Sequence, residues 1–117
     1  MKKILKITLL LLLPFFAKTQ LSNPDSLRNI LRNATTDSVR HNTCVELYYN
    51  YSEANRDSAL FYAEKRLTLA KQNNQKLAEA FALVSKGYQY GVTGKYGASY
   101  QNLLLALKIA EDPNNKE

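Results

Sequence analysis

An apolar pattern with helical spacing occurs twice in this chain, at an offset of about forty residues. Ala59, Leu60, Leu67 and Ala70 meet Ser99, Tyr100, Leu107 and Ala110 at a shift of 40. The helices before them align at 39, Tyr48 with Gly87 and Tyr51 with Tyr90. The one-residue difference falls in the turn, where it costs least. Small residues recur where two helices must approach, and larger ones where a core must be filled. A duplicated helical hairpin leaves one apolar face uncovered, so the copies bury it by stacking. No segment alternates apolar and polar residues in the manner of a half-buried strand.

Five helices follow from the spacing. Asn23-Pro24-Asp25 supplies a capping oxygen, a proline for the first turn and an acid near the positive end of the dipole. Leu27, Ile30 and Leu31 follow at i, i+3, i+4, and this short helix ends between Asn33 and Thr36. Thr36-Asp37-Ser38 opens the second helix, whose stripe is Cys44, Leu47, Tyr48 and Tyr51, with Val39 at its start. Asn55 and Asp57 cap the third, carrying Leu60, Ala63, Leu67 and Ala70. The polar run Gln72 to Gln75 breaks it. Leu77, Ala80, Phe81, Val84 and Tyr88 form the fourth stripe, stopped at Gly91-Val92-Thr93-Gly94. Tyr96, Ser99, Leu103, Leu107 and Ala110 form the fifth, stopped at Asp112-Pro113. Short connections place successive helices antiparallel.

The first nineteen residues read differently. Lys2, Lys3 and Lys6 precede an apolar run from Ile7 to Phe16, and Ala17-Lys18-Thr19 offers small residues at cleavage spacing. That is the order of a secretory signal peptide, and the run is too short for the roughly 20 residues of a membrane span. Cleavage is expected after Thr19; an uncleaved N-terminal anchor is the alternative. The chain carries 16 basic and 10 acidic residues, a formal charge of +6. Lys2, Lys3, Lys6 and Lys18 belong to the signal, which leaves 12 against 10. The basic balance is therefore mostly an export feature and does not point to nucleic acid. The expected division is 1–19 signal peptide, 20–36 short capping helix and linker, 37–74 first hairpin, 75–113 second hairpin and 114–117 polar tail.

The second hairpin, from Ala80 to Pro113, resembles the tetratricopeptide repeat (TPR) family. Gly87 matches the first-helix glycine, Tyr90 the aromatic after it, Gly94-Lys95-Tyr96 the turn, and Ala106-Leu107 the paired small and large residues. Ser99 stands where the family prefers alanine and Leu103 where it prefers a large aromatic. In the first hairpin Tyr51, Ala59 and Leu67 fit. Tyr48 stands in place of the glycine and Arg66 in place of the small alanine, which argues against close helix approach there. The resemblance implies an all-α fold, a short α-solenoid of stacked antiparallel hairpins. Tyr48, Tyr51, Ala59, Leu67, Gly87, Tyr90, Tyr96, Ser99, Leu103, Ala106 and Leu107 are its packing positions. It also implies a concave groove on the first helices, lined by Asn42, Val45, Tyr49, Ser52, Phe81, Val84 and Tyr88. A tyrosine there buries apolar area and keeps a hydrogen-bonding tip, which suits capture of a protein or peptide partner.

Little else points to chemistry. His41 and Cys44, the only residues of their kinds, share a helix face. Zinc needs three or four ligands, and Asp37 is the one nearby acid on a compatible face; no metal or cofactor is expected. Cys44 has no visible orienting group as a nucleophile, and its place in the stripe favours packing. Gly94-Lys95 lacks the earlier glycine, the following Ser or Thr and the preceding strand of a phosphate loop. Lys65, Arg66 and Lys71 read as a solvated helix face. The chain is expected to be a non-enzymatic, exported interaction module in the periplasm or cell envelope. The resemblance suggests the sensor end of a signalling protein with a histidine kinase or transcription-regulator output. The alternative is a truncated repeat remnant with a structural role and no independent partner.

Overall fold

The structure, a computed structural model, describes residues 22–115, and the expected signal peptide lies outside them. Five helices run in order: α1 (Pro24–Asn33), α2 (Asp37–Tyr51), α3 (Arg56–Gln72), α4 (Lys76–Val92) and α5 (Tyr96–Glu111). No strand occurs among the described residues. Each helix packs on the one before it, so the architecture is a short helix added in front of two antiparallel hairpins, α2–α3 and α4–α5.

The helix starts carry their own signals. The Asn23 side chain accepts from the backbone N–H of Asp25, with Pro24 in the first turn. Thr36 Oγ1 accepts from Val39 N–H at 3.3 Å, and Asn55 Oδ1 from Ser58 N–H at 3.1 Å. Each satisfies an orphan donor, worth about 1 kcal/mol. Helices α4 and α5 start without a side-chain cap bond.

Two of the turns share one solution. After α3, Gln75 N–H reaches back to Ala70 O at 2.9 Å, and Asn74 takes a left-handed φ of 53°. After α4, Lys95 N–H reaches Tyr90 O at 2.8 Å, and Gly94 takes φ 82°. A left-handed residue followed by a donor that returns to the last turn closes a helix and reverses the chain. Asparagine tolerates that conformation and glycine adopts it freely.

The buried core forms two clusters. One joins α1, α2 and α3 through Leu27, Cys44, Leu47, Tyr48, Ala59, Tyr62 and Ala63, with Leu31, Tyr51 and Leu69 packed against it. The other joins α3, α4 and α5 through Leu67, Ala80, Ala82, Leu83 and Ala106. The approach of α4 to α5 is close. A Cβ on Gly87 would lie 2.8 Å from Leu103 side-chain atoms and 3.3 Å from the Ser99 carbonyl. Ser99 Oγ donates to Gly87 O at 2.7 Å and seals that crossing.

Several expected packing positions are only partly covered, Leu103 on its Gly87 side alone. Tyr96, Leu103 and Leu107 are 75%, 42% and 52% exposed. The repeat spacing marks the face that a following helix would cover, and no described helix follows α5. Ile30 is exposed for a related reason, since α1 packs on α2 alone, and Val39 is exposed as well. Arg66 is buried, against its expected place on a solvated face beside exposed Lys65 and Lys71. It lies on the side of α3 that α4 covers, and its guanidinium reaches Ser85 on that helix.

Candidate functional site

The junction between the hairpins is polar at its centre. Tyr48 Oη donates to the Ser85 carbonyl at 3.3 Å and accepts from Gln89 Nε2 at 3.3 Å. The same Gln89 nitrogen donates to Ser52 Oγ at 3.1 Å. Arg56 Nη1 donates to Ser52 O at 3.1 Å, with Gln89 Oε1 at 3.5 Å. Arg66 Nη1 donates to Ser85 Oγ at 3.1 Å, and Ser85 Oγ donates to Phe81 O at the same distance. The Arg66 guanidinium also sits 5.9 Å from the centre of the Tyr48 ring. Tyr48 is therefore the hinge-pin between α2 and α4, a role its substitution for glycine did not suggest. Gln89 is almost fully buried at the centre of this network. Sequence reasoning missed it, and the only available signal was its position seven residues beyond Ala82 and four beyond Ser85 on one side of α4.

Above this network the surface is concave. A cleft of about 430 Å³ is lined by Tyr48, Tyr49, Ser52, Glu53, Val84, Ser85 and Tyr88. Four of the seven expected groove residues, Tyr49, Ser52, Val84 and Tyr88, are brought together there. Tyr49 is 64% exposed and stands edge-on to the buried Tyr48 ring, with centroids 5.2 Å apart. Phe81 points instead into a second hollow, between α4 and α5, which Val84 shares. Asn42 lines a polar recess with Asp37, Ser38, His41, Asn73 and Gln75. Val45 is half-buried and lines none of these three hollows. The separation follows from helix pitch: Asn42 lies two turns from Tyr49, about 10 Å along the axis.

Of the remaining expected packing residues, Tyr51 is half-buried and stacks on Tyr62, with centroids 5.9 Å apart and planes 5° from parallel. Its hydroxyl accepts from the Arg28 guanidinium of α1. Ala59, Leu67 and Ala106 are buried. Tyr90 is half-buried, with the Lys95 ammonium 6.0 Å from its ring centre.

The titratable groups of the junction suit burial rather than reaction. Burial pushes the Cys44 thiol above its ordinary value, although Lys65 and Arg66 oppose this. A protonated thiol, fully buried, is a poor nucleophile. Burial, and then the charge of Arg66, hold the His41 imidazole below its ordinary value. His41 Nδ1 is buried with no hydrogen-bond partner, so a proton there would be left unsatisfied. Burial also lowers the Arg66 guanidinium, and its Nε lacks a partner. Among the described residues no group of three His, Cys, Asp or Glu side chains could hold a metal ion.

Paired antiparallel helices stacked side by side, joined by short turns and opening a cleft along their first members, define a helix–turn–helix repeat protein of the α-solenoid class. The chain belongs to the family described as the SusR N-terminal TPR domain, whose model matches residues 15–108. No curated protein and no solved structure matches it. TPR folds are non-catalytic repeats that act through protein–protein contact.

Proposed function

We propose that this chain is an exported interaction module that captures a protein partner through the Tyr49–Ser52–Val84–Tyr88 cleft, as the sensor end of a signalling protein. The observation that carries the reading is the contrast between the cleft's rim and its floor. Tyr49, Val84 and Tyr88 are 64%, 45% and 45% exposed, whereas Tyr48 and Ser85 beneath them are buried and hydrogen-bonded across the hairpin junction. Aromatic side chains presented on a floor that does not have to reorganise bind with little ordering cost. Ser52 and Glu53 at the edge offer acceptors, so the fitting partner is a peptide segment with an apolar side chain flanked by donors. Export is supported by Lys2, Lys3 and Lys6, the apolar run from Ile7 to Phe16 and the small residues before Gln20. No described helix is long and apolar enough to cross a membrane.

Affinity capture from a cell-envelope fraction tests the reading. The wild-type chain is expected to recover one defined protein. Tyr49→Ala with Tyr88→Ala is expected to weaken its capture at least tenfold, as loss of interface aromatics does. Equal recovery by the double variant would refute the cleft. A chain that stays in the cytoplasm with its first residues intact would refute export.

A further inference from the structure

The first helices of the two hairpins do not meet through their backbones. No Cα of α2 lies within 8 Å of a Cα of α4, although α3 packs directly on both. Polar side chains span the space. Tyr48 Oη donates to Ser85 O and accepts from Gln89 Nε2, each at 3.3 Å, and the same nitrogen donates to Ser52 Oγ at 3.1 Å. Gln89 Oε1 lies 3.5 Å from Arg56 Nη1. One amide on α4 thus meets a residue of α2, the residue after α2 and the first residue of α3. By the repeat offset Tyr48 stands where the second hairpin has Gly87. There the missing side chain leaves room for Leu103 of α5; here the tyrosine reaches across to α4.

We propose that Gln89 is the positioning residue of the cleft. Through Tyr48 and Ser52 it holds the two hairpins at one separation, and so fixes the spacing of the rim tyrosines, Tyr49 on α2 and Tyr88 on α4. Each rim tyrosine is the chain neighbour of one end of this link: Tyr49 follows Tyr48, and Tyr88 precedes Gln89. A change in the link therefore moves the rim directly. Gln89 itself is 2% exposed and lines no part of the cleft, so it acts only through its neighbours. That the rim spacing matters to a partner rests on the function proposed above; that Gln89 sets it does not.

Direction is what a glutamine adds at this place. Apolar contact is non-directional and tolerates sliding, whereas a hydrogen bond weakens steeply as it leaves its line. A methionine would fill the same length and bury as easily. A buried polar link with its partners satisfied contributes one register of packing more than it contributes stability.

Pulsed dipolar spin-label spectroscopy tests this without a partner, on the chain purified in the form its host accumulates. Labels are placed on Glu46→Cys of α2 and Lys108→Cys of α5, exposed sites outside the cleft. Cys44 is wholly buried and stays unlabelled. The chain with Gln89 intact is expected to give one narrow distance. Gln89→Met is expected to broaden it, or displace its mean, by about 2 Å or more, the scale of helix shifts at an interface, with unchanged helical content. Tyr48→Phe, which cuts the other end of the link, is expected to do the same. The two together should do no more than either alone, as members of one network. Leu27→Ala thins the core under α1; it is expected to lower the urea midpoint and leave the distance unmoved. A narrow, unmoved distance in Gln89→Met overturns the proposal, and Tyr48→Phe decides in the same way if Gln89→Met does not fold. An equal displacement in Leu27→Ala also overturns it, as general loosening. Failure of the wild type to capture any envelope protein would refute the binding role of the cleft and leave this distance result standing, so the two readings fail separately.

Discussion

At Arg66 the chain places a guanidinium inside its own core with no carboxylate beside it. Its hydrogen bond goes to Ser85 Oγ, its plane lies near the Tyr48 ring, and its Nε has no partner. Burying a charge without a counter-charge costs stability, and apolar side chains of similar length often do as well or better. Ser85 Oγ would not be orphaned by the loss of Arg66, because it keeps its own bond to Phe81 O. Arg66→Met is therefore expected to raise unfolding stability by about 1–2 kcal/mol, read from the urea midpoint. A loss of similar size would show that the guanidinium is worth more than its desolvation. Neighbouring Lys65 stays in water, and nothing in the run Lys65-Arg66 distinguishes the two. What separates them is a rotation of 100° about the helix axis, and that matters only once α4 is in place.

Among the elements, α4 is packed against both α3 and α5 and hydrogen-bonded to α2 as well. Toward α2 and α3 it presents Ala82, Ser85 and Gln89; toward α5 it presents Gly87, where a Cβ would press on Leu103 and the Ser99 carbonyl. A branched side chain there must push the helices apart and strain the Ser99–Gly87 hydrogen bond. Gly87→Val is expected to cost about 2–3 kcal/mol by overpacking, measured by chemical denaturation. A neutral result would mean that α5 slides without loss. Helix positions were legible beforehand, since Asn23, Thr36 and Asn55 act as caps and Asn74 and Gly94 turn the chain within breaks visible in the residues. The close α4–α5 crossing at Gly87 was legible too, from its match to the first-helix glycine of the TPR family. The candidate cleft was only partly so. Tyr49, Ser52, Val84 and Tyr88 meet, but Phe81 serves a different hollow and Asn42 lies two turns away. Helical spacing assigns a residue to a side of its own helix; it does not say how far along the axis the neighbouring helix will meet it.

For the whole molecule, His41 and Asp37 make stability sensitive to acid. His41 is held below its ordinary value of 6.5, so the folded state binds fewer protons than the unfolded chain as pH falls through that value. Stability is then lost progressively from about pH 6.5 down to the depressed folded value. Asp37 adds a second loss at lower pH. Arg40 and then Asn73 hold its carboxyl below 3.8, and the stabilisation is present above that value and disappears as the folded group protonates. The urea midpoint should fall between pH 7.5 and 5.5, and again toward pH 3. His41→Asn should flatten the first step and leave the second. A midpoint that is level from pH 7.5 to 5.5 in the wild type would remove His41 from this account. The residues alone determined that this chain is helical, where each helix starts and stops, and that two hairpins are related by duplication. Those properties depend on neighbours within one or two turns. Which apolar stripes are covered was decided by tertiary structure. Leu67 and Leu107 occupy equivalent places in the repeat, yet one is buried and the other half in water. Burial belongs to a residue together with whatever element arrives opposite it, and α3 has α4 where α5 has none among the described residues.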